Sequence, residues 1–354
     1  MRIEHLRHRL AALGAKPCHL DALFKAWTHA QPLDSGKRRA EDFLPLALRA
    51  ALPRIGEELA ALARVCSEHP GEDGASRLLV RLADGQTVES VLLPREGVCV
   101  SSQVGCAVGC RFCMTGQDGL LRQLGSAEIV AQVALARARR PVRKVVFMGM
   151  GEPAHNLDNV LEAIELLGTV GGFGHKNLVF STVGDIRVFE RLPAGPVKPA
   201  LALSLHTTHP RLRAELLPKA PAIDPAELVA LAERYARATT YPVQYQWTLI
   251  AGVNDSDEEL ANIATLLKGK YAVMNFIPYN AVDGLPYQRP SWERAAEMAR
   301  HLHRQGILTK LRHSAGQEVE GGCGQLRARA LAGGPAPARR RSVAIHPVAE
   351  PPRT

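Results

Sequence analysis

The chain has 354 residues, room for one large domain and a smaller one, and its 46% hydrophobic content can bury a sizeable core. No apolar run reaches the roughly 20 residues of a membrane-spanning helix, and the charged start Met1-Arg-Ile-Glu-His-Leu-Arg-His-Arg9 lacks a signal peptide's apolar segment, so the expectation is a cytosolic protein. A net charge of +9 suits a phosphate-rich partner, 5% aromatic content argues against a platform for stacking single-stranded bases, and seven cysteines with three crowded together fit metal or redox chemistry better than a disulfide framework.

Residues 1–70 read as a helical accessory domain. Ile3, Leu6, Leu10 and Leu13 recur at helical spacing, as do Leu20, Leu23, Phe24 and Trp27. Lys37-Arg38-Arg39 makes a basic turn before another helix near 41–51; Pro53 is expected to end it, and 57–66 to continue helical. Such a domain is either a structural cap or an RNA-docking module. Residues 71–97 read as a β-hairpin connector: 77–82 and 87–93 alternate around Asp84-Gly85.

From 98 to 332 strand and helix alternate. Apolar runs at 98–101, 144–148, 178–181, 200–205, 243–250, 273–277 and 307–311 are predicted strands. Helical patterns fill 126–138, 156–167, 225–239, 255–267 and 292–305, one with a capping box, Ser256-x-x-Glu259. Repeated β–α units predict an α/β fold, a parallel sheet closed into a partial (β/α) barrel with helices outside. Nearly every polar motif falls just past the C-terminal end of a strand, the rim where such barrels assemble their sites. From about 333 to 354 the chain, with Gly333-Gly-Pro-Ala-Pro-Ala-Arg339-Arg-Arg341, reads as a disordered basic tail.

The most informative stretch is Cys106-Ala-Val-Gly-Cys110-Arg-Phe-Cys113, spaced C-x3-C-x2-C. Zinc prefers four ligands, and no fourth cysteine is near; three thiolates suit an iron–sulfur cubane with one iron open to an outside ligand. Zinc and three merely packed thiols remain the alternatives. Gly149-Met-Gly151-Glu152-Pro153 follows a strand: glycine permits close approach, and a carboxylate can accept from an amine, although a plain tight turn has the same sequence. Ser181, Ser204, His206 and Asn280 offer polar groups at strand ends, where turn residues and loop caps also occur. Cys18 and Cys66 match nothing and read as structural.

These motifs carry a resemblance. C-x3-C-x2-C with an aromatic before the last cysteine is similar to the radical S-adenosylmethionine (SAM) superfamily. Cys99-Val-Ser-Ser-Gln-Val-Gly-Cys106, Met148-Gly-Met-Gly-Glu-Pro153, Ser204-Leu-His206 and Cys323-Gly-Gln-Leu326 resemble, more narrowly, the RlmN/Cfr family of radical SAM RNA adenine methyltransferases. The resemblance spans about 89–326. It implies a [4Fe-4S] cluster on Cys106, Cys110 and Cys113 with SAM at the open iron, and a SAM site lined by Gly151, Glu152, Ser181, Ser204, Leu205, His206 and Asn280. It implies Cys323 as an S-methylcysteine carrier, Glu89 as proton acceptor and Cys99 as the resolving thiol in a transient disulfide with Cys323.

The reaction implied is methylation of an adenine ring carbon, C2 ahead of C8, in ribosomal or transfer RNA, with two SAM molecules. One methylates Cys323; the other yields the 5′-deoxyadenosyl radical that activates that methyl for addition to the ring. Partners implied are RNA, an electron donor such as flavodoxin and a thiol reductant, with the protein a monomer. The sequence departs from the family at Ser181-Thr-Val-Gly184, at Asn275-Phe-Ile-Pro-Tyr-Asn280, at 314–322 and throughout the N-terminal domain, which bears on the RNA target. Two other readings are a radical SAM enzyme on a non-RNA substrate and a non-catalytic metal-dependent RNA-binding module.

Overall fold

A computed structural model describes residues 1–36, 39–282 and 284–328. Lys37 and Arg38 of the basic turn, and the tail from 333, lie outside the described residues.

The N-terminal segment forms α1 (Ile3–Ala12), α2 (Pro17–Thr28), α3 (Ala40–Phe43) and α4 (Leu46–Ala61). Each long helix buries the stripe its spacing predicts: Ile3, Leu6 and Leu10; Leu23, Phe24 and Trp27; Leu48, Leu52, Ile55 and Leu59. Pro53 does not end its helix but sits inside α4. An interior proline forfeits a hydrogen bond and costs about 3 kcal/mol. Buried Leu48, Leu52, Ile55 and Leu59, on either side of it, outweigh that. The helical reading of 57–66 also fails past Ala61. Ala63–Pro70 is a strand, β1, whose burial alternates with period two.

β1 pairs antiparallel with β2 (Ser76–Leu82), which pairs with β3 (Thr87–Leu93) across the Asp84-Gly85 turn. β4 (Gly97–Cys99) closes this antiparallel group. The connector is therefore three strands built onto the barrel edge. A separate two-stranded ladder, β5 (Gln103–Gly105) and β6 (Leu120–Gln123), brackets the three-cysteine loop.

The remaining units follow in order: α5 (Ser126–Arg137), β7 (Lys144–Phe147), α6 (Leu157–Thr169), β8 (Leu178–Thr182), α7 (Ile186–Ala194) and β9 (Ala200–Ser204). Then come α8 (Pro210–Leu216), α9 (Pro225–Thr239), β10 (Val243–Leu249), α10 (Asp257–Leu267), β11 (Ala272–Pro278), α11 (Trp292–Arg304) and β12 (Leu308–Leu311). The large sheet runs β1-β2-β3-β4-β7-β8-β9-β10-β11-β12, parallel from β4 onward. All seven predicted strands are there, and β1 and β12 do not pair among the described residues, so the barrel is partial. Phe147, Phe180, Trp247 and Phe276 are among the large side chains buried in it. The capping box is half formed: Ser256 Oγ accepts the Glu259 N–H at 3.1 Å, but the Glu259 carboxylate turns to Thr207 and Thr208 instead.

Parallel register fixes which side chains share a face. Cys99 is opposite Val146, Val146 opposite Val179, Ser181 opposite Ala202, Ser204 opposite Gln246, Gln246 opposite Asn275 and Asn275 opposite Lys310. Because side chains alternate along a strand, Cys99, Ser181 and Ser204 project from one face of the sheet.

Candidate active site

The cysteine loop is pinned at its base. Gly105, at φ +77°, precedes Cys106, whose N–H donates to the Gly119 carbonyl at 2.9 Å. A Cβ on Gly105 would lie 2.0 Å from that carbonyl oxygen, so only glycine fits. Cys113 N–H donates to Cys110 O at 3.1 Å. Phe112 is buried and meets the His206 ring edge-on, with centroids 4.8 Å apart. Burial pushes the Cys106 thiol up to about 12 and the Cys110 and Cys113 thiols up as well; Cys113 further opposes the ionisation of Cys106, and both oppose that of Cys110. Arg213 is a cation near them, within electrostatic reach of Cys110. Among the described residues no group of three His, Cys, Asp or Glu side chains closes around a single metal ion. Thiols that influence one another without converging on one point fit a multi-iron cluster better than mononuclear zinc.

Glu152 stands beside this loop, 5% exposed. Its oxygens accept the Ala154 and Val183 N–H groups, each at 3.0 Å, and its own N–H donates to Gln103 Oε1 at 2.7 Å. Burial pushes its pKa up to about 7. Gly151 has φ +102°, and a Cβ there would sit 2.5 Å from Gln103 Cβ. The turn is thus locked to β5 through Gln103.

His206 is buried in the left-handed region, at φ +62°. Its Nδ1 accepts the Thr248 N–H at 3.0 Å, which leaves Nε2 protonated and a donor. Burial, then the nearby Arg213 charge, push its pKa down to about 3, so the ring is neutral at any working pH. Asn254, fully buried, holds this geometry: its Nδ2 donates to His206 O at 2.7 Å and Thr248 O at 2.8 Å, and its Oδ1 accepts Ile250 N–H at 2.8 Å. Leu205 is buried; Ser181 and Ser204 are half-buried at strand ends.

Cys323 lies on a loop laid over the cysteine loop. Met114 N–H donates to Gly324 O at 2.8 Å, and Thr115 Oγ1 to Leu326 O at 2.7 Å. Asn280 does more than line a pocket: its Nδ2 donates to both Cys323 O and Ser314 Oγ at 2.9 Å, while Arg289 donates to its Oδ1 at 3.0 Å. Cys323 is exposed to solvent, although protein surrounds its loop. That surrounding protein raises its pKa, while the Arg312 charge and the Ser314 hydroxyl pull it down. Cys99 is 8% exposed on β4, its thiol pushed up to about 12 by burial and then by the charge of Cys323. The two thiols, far apart in sequence, are within electrostatic reach. Cys18 and Cys66 are exposed and free.

Glu89 is a strand residue with a fully buried carboxylate. Arg77, 1% exposed, pairs with one oxygen, and the Arg327 N–H donates to the other at 2.9 Å. Burial raises its pKa, opposed by Arg77. Ser101 Oγ donates to Glu89 O at 2.6 Å and accepts the Met150 N–H at 2.8 Å, tying the base candidate to the glycine turn. Arg77, Arg327, Asn254, Ser314 and Arg312 were invisible as site residues. Nothing local marks Arg77, which shares its strand face with the exposed Arg81.

The radical SAM superfamily model matches residues 100–264. A protein from Aromatoleum aromaticum, named a probable RNA methyltransferase, is 77% identical over 334 residues, 94% of each chain. One of the same name from Leptothrix cholodnii is 68% identical over 352 residues, 99% of this chain and 100% of that one. A crystal structure of a radical SAM methyltransferase from Sphaerobacter thermophilus superposes with a TM-score of 0.80 at 36% identity, covering 93% of this chain and 98% of that one.

Proposed function

The chain belongs to the radical SAM family of these RNA methyltransferases, and from that premise we propose that it methylates an adenine ring carbon, C2 ahead of C8, in ribosomal or transfer RNA through a methyl carried on Cys323. The observation that carries this reading is the constellation of Cys99, Cys323 and Glu89 beside the Cys106–Cys113 loop, with Glu89 bonded to Arg327, four residues past the carrier.

Cys106, Cys110 and Cys113 would hold a [4Fe-4S] cluster, and Gly151, Glu152, Ser181, Ser204, Leu205, His206 and Asn280 would line SAM. When bound, these groups supply the methyl for Cys323 and the radical that activates it. The chain's own residues do the rest. Glu152, its oxygens fixed by backbone N–H groups, receives the ammonium of SAM. His206, neutral and pinned through Nδ1, offers one N–H donor. Arg312 and Ser314 favour the Cys323 thiolate, the form that accepts a methyl. Once the methylene carbon joins Cys323 to the ring, Glu89 takes the ring proton; burial gives it the basicity, and Arg77 keeps it ionised beforehand. Cys99 then attacks the Cys323 sulfur: the S–S bond forms, the S–CH2 bond breaks and the carbon takes a proton to become the methyl, while the adduct's unpaired electron would return to the cluster that supplied it. An external thiol resets the pair by exchange.

The test is Cys99→Ala. A thioether does not hydrolyse at neutral pH, so release needs the second thiol. Iron content and methylation of Cys323 should survive, and a nuclease-sensitive adduct on Cys323 should accumulate, retarded on a denaturing gel. Cys99→Ala,Cys323→Ala should lose the band. Normal turnover by Cys99→Ala without adduct would refute the carrier scheme, and a methylated Cys323 that never transfers to RNA would favour a non-RNA substrate.

A further inference from the structure

Lys144, Lys310 and Arg312 form an unpaired cationic cluster. Register puts Lys144, two residues before Val146, on the face that carries Cys99, and Lys310, opposite Asn275, on the face that carries Ser204. Arg312 continues β12 two residues on, its N–H bonded to Phe276 O at 2.8 Å. Register therefore sets them on one face of the sheet, the face of Cys99 and Ser204, with Lys144 on β7, Lys310 on the edge strand β12 and Arg312 just past its end. All three are solvent-exposed, and their side chains make no hydrogen bond or ion pair among the described residues. They are near one another: the charges of Arg312 and Lys310 add to burial in pushing the Lys144 pKa down. They are near the carrier, since Arg312 favours the Cys323 thiolate.

Like charges gathered without a counter-charge destabilise the empty protein, and a fold keeps such an arrangement where a ligand completes it. We propose that Lys144, Lys310 and Arg312 form an anion site for three neighbouring backbone phosphodiesters of the substrate RNA, holding the strand while its adenine reaches Cys323. This rests on the RNA methyltransferase reading. The carboxylate of SAM is the other anion present, but two observations favour the phosphodiester. Three cations exceed what one carboxylate needs. The next residue, His313, stacks on the exposed Trp292, with centroids 4.4 Å apart and planes 17° apart. Cationic side chains beside an exposed aromatic pair suit a nucleotide chain.

The experiment uses cluster-loaded enzyme under anaerobic conditions, with Lys144→Gln, Lys310→Gln and Arg312→Gln separately and together. The probe is a short fluorescent oligoadenylate titrated across salt concentrations. Each phosphate contact on a single strand contributes about 0.7 to the slope of log affinity against log salt, so the triple variant should be shallower by about 2. Its affinity should fall roughly tenfold or more at about 0.1 M salt. SAM affinity should not change, and thermal stability should hold or rise as repulsion is relieved. An unchanged slope overturns the site. A loss of SAM affinity with the RNA slope intact assigns the cluster to the SAM carboxylate and also overturns it. A wild-type enzyme whose oligoadenylate binding ignores salt would instead remove the RNA reading, and this site with it.

Discussion

Arg77→Met removes the only side chain among the described residues that neutralises Glu89. Both residues are essentially inaccessible, at 1% and 0% exposure, so no water replaces the guanidinium. Breaking a buried pair by deleting one partner costs about 3–5 kcal/mol, because it strands a charge. Glu89 has an escape: it keeps the Arg327 N–H and can take a proton. Burial already raises its pKa above the ordinary 4.5, and without Arg77 nothing of opposite charge opposes that rise. The folded chain then holds a proton that the unfolded chain sheds near 4.5. Stability is therefore full below that value and falls as pH rises, at about 1.4 kcal/mol per pH unit, until the folded pKa is passed. Urea unfolding of Arg77→Met and wild type at pH 5 and pH 8 should give a small difference at the lower pH and most of the 3–5 kcal/mol at the higher. Arg77→Met,Glu89→Gln should lose that pH dependence. A deficit equal at both pH values would mean that Arg77 acts by packing alone, and the account of Glu89 would be wrong.

Cys106→Ala,Cys110→Ala,Cys113→Ala should abolish the roughly four irons per chain found after anaerobic reconstitution, read by iron and sulfide analysis. Gly151→Ala should strain a left-handed turn and drive Gln103 away from the Glu152 N–H, so SAM affinity by equilibrium dialysis should fall more than about tenfold while iron content stays. His206, with a folded pKa near 3 against 6.5 unfolded, contributes stability present above 6.5 and lost as pH falls toward 3. His206→Gln should therefore be destabilised at pH 7 and approach wild type in acid, seen in urea midpoints.

The parallel strands were legible because strands buried on both faces read as apolar runs, and the cluster ligands because their chemistry sets a local spacing. Two short helices, α7 and α8, were not. Ile186–Ala194 carries Pro193, and Pro210–Leu216 is only seven residues long, so neither shows enough periods. β1 was misread since Arg64, Val65 and Cys66 extend a helical pattern, and only pairing with β2 decides against it. Asn280 was legible as a site residue, but its hold on Cys323 spans 43 positions and cannot be read from neighbours. Asn254 and Arg77 were missed for the same reason: what they satisfy is set by burial, which a sequence of polar letters does not report. Glu259 shows the converse, a local capping pattern overridden by two threonines 52 and 51 residues away.

The hydrogen bond from Thr115 to the carbonyl of Leu326 joins positions 211 residues apart. A ribosome adding roughly 5–20 residues per second needs about 10–40 seconds to travel between them. During that interval the thiols of the cysteine loop exist without the segment that later covers them. The order of synthesis thus leaves the loop open to iron delivery first and lays Cys323 across it last. A chain truncated before residue 323 should still load iron, while a finished chain that missed its iron must unfasten Gly324 and Leu326 from Met114 and Thr115 to be repaired.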